Sequence, residues 1–282
     1  MVEDPNLIYF ASEAQIPEYA ILSHIWEEEE VTFQDMQDLS KRKGTVKGWS
    51  KIVRACEVAR SEDWEYIWID TCCIDKSSSS ELSEAINSMY RYYTEAVVCY
   101  AYLTNVQSDL PKRTLNLVFR ASKWFMRGWT LQELIAPATV VFFAQNWEKI
   151  GTKASLQGIL TGITGIPSRD LLRFDSRLTS VAARMSWAAG RKTTRIEDRA
   201  YSLMGISGVF MPPIYGEGEH AFIRLQEEIL KVSDDHTIFA WKSKSSSFRA
   251  ILATGPDVFE GSGEYQLLDN KIEHDITTWD NI

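Results

Sequence analysis

One octapeptide organises the chain: Arg127-Gly128-Trp129-Thr130-Leu131-Gln132-Glu133-Leu134. Four residues later comes the apolar run 139–143, which has the length of a strand. We expect the octapeptide to form one or two helical turns at the carboxyl edge of a sheet. Trp129 and Glu133 are four residues apart and would share a helical face. A carboxylate beside an indole is poorly hydrated, which raises its pKa as a proton-handling group requires. The alternative, which the chemistry alone favours, is a structural Glu133 bonded to a loop, with Trp129 in the core.

Apolar runs of strand length alternate with helical patterns before this octapeptide. The runs 19–26, 66–70 and 96–103 are nearly continuous, as expected of strands that are covered on both faces. Apolar residues at helical spacing in 49–60 and 82–93 predict the helices between them. This alternation indicates an α/β fold with a parallel sheet flanked by helices.

Weaker patterns predict further local features. Residues 7–10 favour a short edge strand, and Ser78 and Glu81 have the spacing of a capping box. The acidic run 27–30 is typical of a solvated loop. The polar connection 104–121 lies at the strand ends, where it would form a pocket wall or a partner surface.

The pattern becomes mainly helical after about residue 150. Helices are predicted in 156–163, 181–189, 197–205 and 219–232, with short strands in 237–241 and 251–253. We therefore divide the chain into an α/β core (1–150), a helical extension (151–241) and an irregular acidic carboxyl-terminal segment (242–282).

Composition excludes several classes of function. The chain has 282 residues, 45% of them apolar and 24% charged, as in ordinary soluble globular proteins. A net charge of −9 disfavours nucleic acid as a partner. No run is long enough to span a membrane, and the first residues lack the pattern of a signal peptide. Four cysteines do not make a disulfide framework, so we expect a cytoplasmic location.

Candidate ligand residues follow the ends of the predicted strands. Ser23 and His24 end the first strand and Asp70 ends the second, where open α/β sheets bind ligands. Asp70 and Asp75 would orient a ribose or a basic side chain, or equally cap the next helix or pair with a nearby cation. Arg127 would clamp a phosphate or hold the neighbouring acid in place.

Other motifs are weaker. Cys72-Cys73 together with His24 and Asp70 suggests a thiol nucleophile, but cysteines at strand ends are usually buried hydrophobes. The cysteine and histidine spacings do not favour a metal site. Gly216-x-Gly218 precedes a helix, yet it lacks the strand and the third glycine of a phosphate-binding loop.

Four ordered blocks resemble the fungal heterokaryon-incompatibility (HET) domain, over about residues 17–241. They are Tyr19-Ala-Ile-Leu-Ser-His-Ile-Trp26, Tyr66-Ile-Trp-Ile-Asp-Thr-Cys-Cys-Ile-Asp-Lys76, the octapeptide, and Tyr201-Ser-Leu-Met-Gly205 with Ile214-Tyr-Gly-Glu-Gly218. The resemblance is strongest to the form found at the amino terminus of NACHT–WD-repeat proteins. One departure is Trp26-Glu27, where the family has Trp-Gly, which puts the role of the first loop in question.

The resemblance implies an effector of cell death in fungal nonself recognition. It implies self-association, or activation by a STAND-type sensor of the NACHT–WD-repeat class. HET domains in turn resemble TIR domains, which implies a TIR-like, flavodoxin-like sheet. In this comparison Trp129-x-x-x-Glu133 is similar to the TIR Trp-Cys-x-x-Glu, whose Glu serves NAD cleavage, with Thr130 in place of Cys. Ser122-Lys123-Trp124 is also similar, but its plus-four residue is Gly128, so we place the match on Trp129.

The TIR resemblance implies NAD+ as a substrate rather than a cofactor. Loss of nicotinamide leaves an oxocarbenium-like ribose, which the catalytic Glu133 would stabilise. In this hypothesis we assign substrate binding to Ser23, His24, Trp26, Asp70, Asp75, Arg127 and Trp129. The alternative is a non-enzymatic signalling or oligomerisation module, in which 27–30 and 104–121 are partner surfaces.

Overall fold

A five-stranded sheet forms the centre of the computed structural model, which describes residues 5–38, 48–242 and 251–265. The strands are β1 (Ala20–His24), β2 (Ile67–Trp68), β3 (Val98–Tyr102), β4 (Val140–Phe143) and β5 (Lys149–Thr152). Their order is β2-β1-β3-β4-β5; the first four are parallel and β5 is antiparallel to β4. The predicted α/β class is therefore confirmed. The order of the strands reverses between β1 and β3, as in flavodoxin-like sheets.

Helices flank the sheet and continue beyond it. In the described residues they are α1 (Phe33–Gln37), α2 (Gly48–Ser61), α3 (Ser79–Glu95), α4 (Lys112–Arg120), α5 (Thr130–Ile135), α6 (Gln157–Thr164), α7 (Ser168–Leu172), α8 (Val181–Ala188), α9 (Asp198–Tyr201), α10 (Met204–Ser207) and α11 (His220–Val232). Short 3₁₀ turns cover Glu13–Gln15, Lys123–Met126, His236–Phe239, Pro256–Phe259 and Ser262–Glu264. None of the helices in the described ranges has the length and apolar character needed to cross a bilayer.

Alternate residues of the central strands supply two hydrophobic cores, one on each face of the sheet. On β1, Leu22 points into a core that α2 covers with Ile52. Ile21 points into the opposite core, where α3 contributes Ile86 and α5 contributes Leu134. Because both faces are covered, β3, β4 and the first three residues of β1 are apolar, which explains the continuous runs in the sequence.

The helical carboxyl-terminal half of the chain contributes to the core that contains Ile21. Leu160, Met185, Phe222 and Phe259 belong to the same buried cluster as Ile21. The helical extension therefore packs directly on the sheet. The boundaries proposed at residues 150 and 241 stay predictions.

Part of the segment predicted to be irregular is firmly packed. The two 3₁₀ turns between 256 and 264 lie against α8. The Gln226 side chain donates a hydrogen bond to the Ala253 carbonyl (2.7 Å) and accepts one from the Ala253 N–H (2.9 Å). Residues 266–282 lie outside the described part of the chain.

Several predicted local elements were wrong or incomplete. Residues 7–10 form no strand, and β2 is two residues long where 66–70 was predicted. Residues 251–253 are not a strand either, since the main chain there pairs with a side chain of α11. In place of the strand predicted at 237–241 there is a 3₁₀ turn, because the Asp235 carboxylate accepts the Thr237 N–H (2.9 Å) and caps it.

Other elements were not anticipated. The connection 104–121 contains α4, and β5 extends the sheet beyond β4.

The capping box predicted before α3 is only half formed. Ser78 Oγ accepts the Glu81 N–H (3.3 Å), but the Glu81 carboxylate accepts the Asp75 N–H (2.8 Å) instead of returning to Ser78. The described structure has a complete capping box at α1, between Thr32 and Asp35.

Candidate functional site

Two polar residues end β1 at the point where the strand order reverses. Ser23 and His24 pair with Ala101 and Tyr102 of β3, and both side chains are buried. Asp70 follows β2 on the other side of β1. The carboxyl ends of parallel strands and the start of α5 thus bring polar groups together at one sheet edge.

A short chain of hydrogen bonds links the end of β1 to α5. The Trp124 indole N–H donates to Ser23 Oγ (2.8 Å), and the Ser23 hydroxyl donates to Glu133 Oε2 (2.5 Å). Ser23 and Trp124 are completely buried, and Glu133 is 7% exposed. The Glu133 carboxylate therefore sits in a dry site with an oriented hydroxyl donor.

Burial dominates the acidity of Glu133. It raises the pKa of the carboxyl group from 4.5 to about 7, and the negative charge of Asp70 acts in the same direction. The Ser23 hydroxyl, the positive charge of Arg127 and a hydrogen bond with Tyr93 oppose this rise. Glu133 consequently titrates near neutral pH, where a group that transfers protons or stabilises a cation is useful.

A second polar cluster lies beside the first and is centred on Asp70. His24 Nε2 lies 3.0 Å from Asp70 Oδ1, and the Trp26 indole N–H donates to Oδ2 (2.7 Å). Burial alone would raise the pKa of Asp70. The pKa is instead held below its ordinary value by the hydrogen bonds from His24 and Trp26 and by the positive charge of Lys76. His24 Nδ1 is buried without a partner among the described residues.

Two cationic side chains flank Trp26, the exposed residue of this cluster. The Trp26 side chain is 40% exposed. Lys76 Nζ lies 3.5 Å from its ring centroid, and the Arg127 guanidinium carbon lies 5.6 Å from it. Arg127 therefore contacts the Trp26 indole while its charge also acts on Glu133, and both of its predicted roles stay predictions.

Two of the predicted site residues have their contacts elsewhere. The Trp129 side chain interacts with Asp198 of the helical extension, and the indole linked to Glu133 through Ser23 is that of Trp124. The Asp75 carboxylate accepts hydrogen bonds from Gln34 and Ser77 in the turn before α3. The N-cap of α3 is Ser78, so Asp75 stabilises the turn before the helix and does not cap the helix itself.

Sequence reasoning missed Trp124, Tyr93 and Lys76 as members of the site. A signal for Trp124 existed, since Ser122-Lys123-Trp124 also resembled the TIR motif. The spacing rule rejected it because the residue four positions later is Gly128. In the structure Trp124 reaches the acid through Ser23 and not along its own helix.

The weaker motifs have structural explanations. The four cysteines are free, and Cys72 and Cys73 interact with each other next to the second cluster. The main-chain N–H groups of Gly216 and Gly218 both donate to Glu197 Oε1, so a carboxylate of the chain occupies this loop. In the described ranges no group of three or more potential ligands is arranged for a metal ion.

Fold and site together define a doubly wound α/β domain with a buried acid at the reversal of its strand order. Residues 19–118 match the family model described as "Heterokaryon incompatibility protein (HET)", and residues 220–271 match "Domain of unknown function (DUF8212)". The chain belongs to the heterokaryon-incompatibility family.

A relative among characterised proteins is similar over most of the chain. "Vegetative incompatibility protein HET-E-1" of Podospora anserina is 48% identical over 226 residues, which is 77% of this chain. The chain spans 16% of that relative's length. No solved structure shows significant similarity to the chain, and the TIR-like comparison stays a prediction.

Proposed function

We propose that the chain acts as the effector domain of a vegetative incompatibility protein, causing cell death after nonself recognition. The proposal rests on membership of the family and on the 48% identity to a protein named for vegetative incompatibility. Most of that relative lies outside the matched region, which leaves room for a sensor of the NACHT–WD-repeat type that assembles copies of the effector.

The effector acts, in this proposal, by cleaving the bond between nicotinamide and ribose in NAD+. The observation that carries it is the Trp124–Ser23–Glu133 chain at the carboxyl end of β1. When nicotinamide leaves, positive charge develops on the ribose, and an ionised Glu133 in a dry site stabilises that charge more than a solvated acid would. Water then adds to the ribose carbon and gives ADP-ribose.

Neighbouring side chains orient the substrate. Asp70 is held by His24 and Trp26, so its carboxylate is available in a fixed position for a ribose hydroxyl. Arg127 and Lys76 place positive charge at the mouth of the cluster, where a pyrophosphate would lie. Because Glu133 is 7% exposed, the site must open for the ribose to enter, and assembly of several copies supplies that rearrangement.

Nicotinamide release by the purified chain tests this activity. The chain is fused to an oligomerising partner, incubated with NAD+, and the products are separated by chromatography. Glu133→Gln keeps the size of the side chain and removes the charge, so release should fall at least about a hundredfold. Glu84→Gln, on the exposed side of α3, is the matched control and should cleave normally. Release that is absent from the assembled wild type, or unchanged in Glu133→Gln, contradicts the proposal.

A specific observation favours a second candidate, a non-enzymatic module that signals by assembly. The carboxylate of Glu133 is already satisfied by Ser23 and is nearly inaccessible, as in a purely structural acid. In that case cell death persists in Glu133→Gln. It stops instead when the exposed acids 27–29 are changed to lysine, because that loop is then the contact between copies.

A further inference from the structure

A separate cavity of about 290 Å³ lies between the ends of α4, α6 and α8. Phe125, Met126 and Ile163 form its apolar wall, and Arg120, Trp187 and Arg191 supply its principal polar groups. Neither Ser23 nor Glu133 lines it. Its volume is close to the lower end for sites that bind small molecules.

Arg191 brings a buried positive charge to this cavity. Its side chain is buried, and its guanidinium donates to the main-chain carbonyls of Trp187 (3.0 Å) and Arg127 (3.1 Å) and to the Thr130 hydroxyl (3.2 Å). All of these acceptors are neutral. Burial lowers the pKa of Arg191 to about 10 and the negative charge of Glu133 opposes this shift, so the group is a cation at neutral pH. A buried cation held by neutral acceptors favours the arrival of an anion.

The indole N–H of Trp187 is an independent indication that a hydrogen-bond acceptor is missing from the cavity. Its side chain is 3% exposed, and the indole N–H has no hydrogen-bond partner among the described residues. Buried donors in folded proteins are nearly always bonded, and the indole nitrogen can only donate. An acceptor atom in the cavity that Trp187 lines would satisfy it.

The surroundings of the cavity are cationic and contain few acids. Arg120 and Arg191 both line the cavity, and its lining includes no Asp or Glu. An adjoining cavity of about 510 Å³ shares Gly190 and Arg191 with the first and adds Lys192 and Arg199. The acidic residue in the lining of this second cavity is Asp257, and its carboxylate forms an ion pair with Arg199. This local excess of positive charge contrasts with the net charge of −9 of the chain.

We propose that this cavity is a second ligand site, which binds a small phosphate-bearing molecule. Arg191 and Arg120 pair with phosphate oxygens from two sides, and the Trp187 indole N–H donates to a third oxygen. A tetrahedral phosphate offers acceptors in these several directions, and guanidinium groups match its geometry. The apolar wall at Phe125 and Met126 receives the organic part of the molecule.

Calorimetric titration of the purified chain tests the site, with AMP, ribose 5-phosphate and adenosine as probes. The two phosphates should bind and adenosine should not. Arg120→Gln should weaken AMP binding about tenfold, because it removes one charge-assisted pair. Arg113→Gln removes the same charge from an exposed position of α4 outside the lining and should leave the affinity unchanged.

Two further variants make the test specific. Trp187→Phe keeps an aromatic ring and removes the N–H donor, so AMP should bind several-fold more weakly. Asp70→Asn, in the proposed cleavage site and outside the lining of this cavity, should bind AMP as the wild type does, which separates the two sites. The proposal is overturned if AMP does not bind at up to about 10 mM, if adenosine binds equally well, if Arg113→Gln and Arg120→Gln have equal effects, or if Asp70→Asn abolishes AMP binding.

Discussion

Replacing Glu133 with glutamine should stabilise the protein, and the gain should depend on pH. Burial raises the pKa of Glu133 from 4.5 to about 7. The folded state therefore binds this proton more tightly than the unfolded state does. The free energy of unfolding then falls as the pH rises from about 4.5 to about 7, and stays lowered above that. At 1.36 kcal/mol per pKa unit, the ionised carboxylate costs about 3 kcal/mol of stability at pH 8.

Glutamine removes that cost and keeps an oxygen that accepts the Ser23 hydroxyl. With an unfolding entropy of about 2.1 cal/mol/K per residue, 3 kcal/mol corresponds to a rise in Tm of about 5 °C for a chain of this size. Thermal unfolding followed by circular dichroism should show this gap at pH 8 and only about a quarter of it at pH 5. The exposed control Glu84→Gln should unfold like the wild type at both pH values. A gap between Glu133→Gln and the wild type that is equal at pH 5 and pH 8 would refute the assignment of a buried, titrating carboxylate.

Three further outcomes are expected. Nicotinamide release should increase with pH through about 7, since the buried acid acts in its ionised form; a rate that falls over this range in a pH–rate profile would argue against that role. Ser23→Ala should lower stability by about 1–3 kcal/mol in urea unfolding, because the Trp124 N–H loses its acceptor in the core, and an unchanged midpoint would contradict this. Gly205→Ala should lower stability by about 1–3 kcal/mol, because its Cβ would meet the Tyr90 side chain at 2.0 Å. Gly158→Ala, where a Cβ meets nothing within 4 Å, is the matched control, and equal losses in the two variants would show that contact with Tyr90 is not the cause.

The sequence predicted the centre of the fold better than its edges. The strands β1 and β3 are central and covered on both faces, so their burial appears directly as continuous apolar runs. The edge strand β5 has one strongly apolar residue, Ile150, and it exists because its main chain pairs with β4. The strand predicted at 237–241 failed because the side chain of Asp235 caps a 3₁₀ turn, which an apolar pattern does not reveal.

The positions of the site residues could be predicted better from the ends of the parallel strands than from the spacing of residues along one helix. Ser23 and Asp70 were predicted at strand ends, and the structure places Ser23 in contact with Glu133 across 110 residues of sequence. Their part in catalysis stays a prediction. Trp124 was rejected because helical spacing considers neighbours on one helix only. A 3₁₀ turn before α5 instead sends this indole towards β1.

The carboxyl-terminal 3₁₀ turns pack on α8, and this packing limits where recombination can join the domain to a new partner. The predicted boundary at residue 241 falls inside this packing, because Ala253 and Phe259 complete the buried cluster and Ser180 is bonded to the Tyr265 carbonyl (2.6 Å). A recombination event that joined residues 1–241 to a new partner would leave apolar faces of α8 and α11 open to water, and the product would be prone to aggregate. The heritable module that can be shuffled intact therefore extends at least to residue 265.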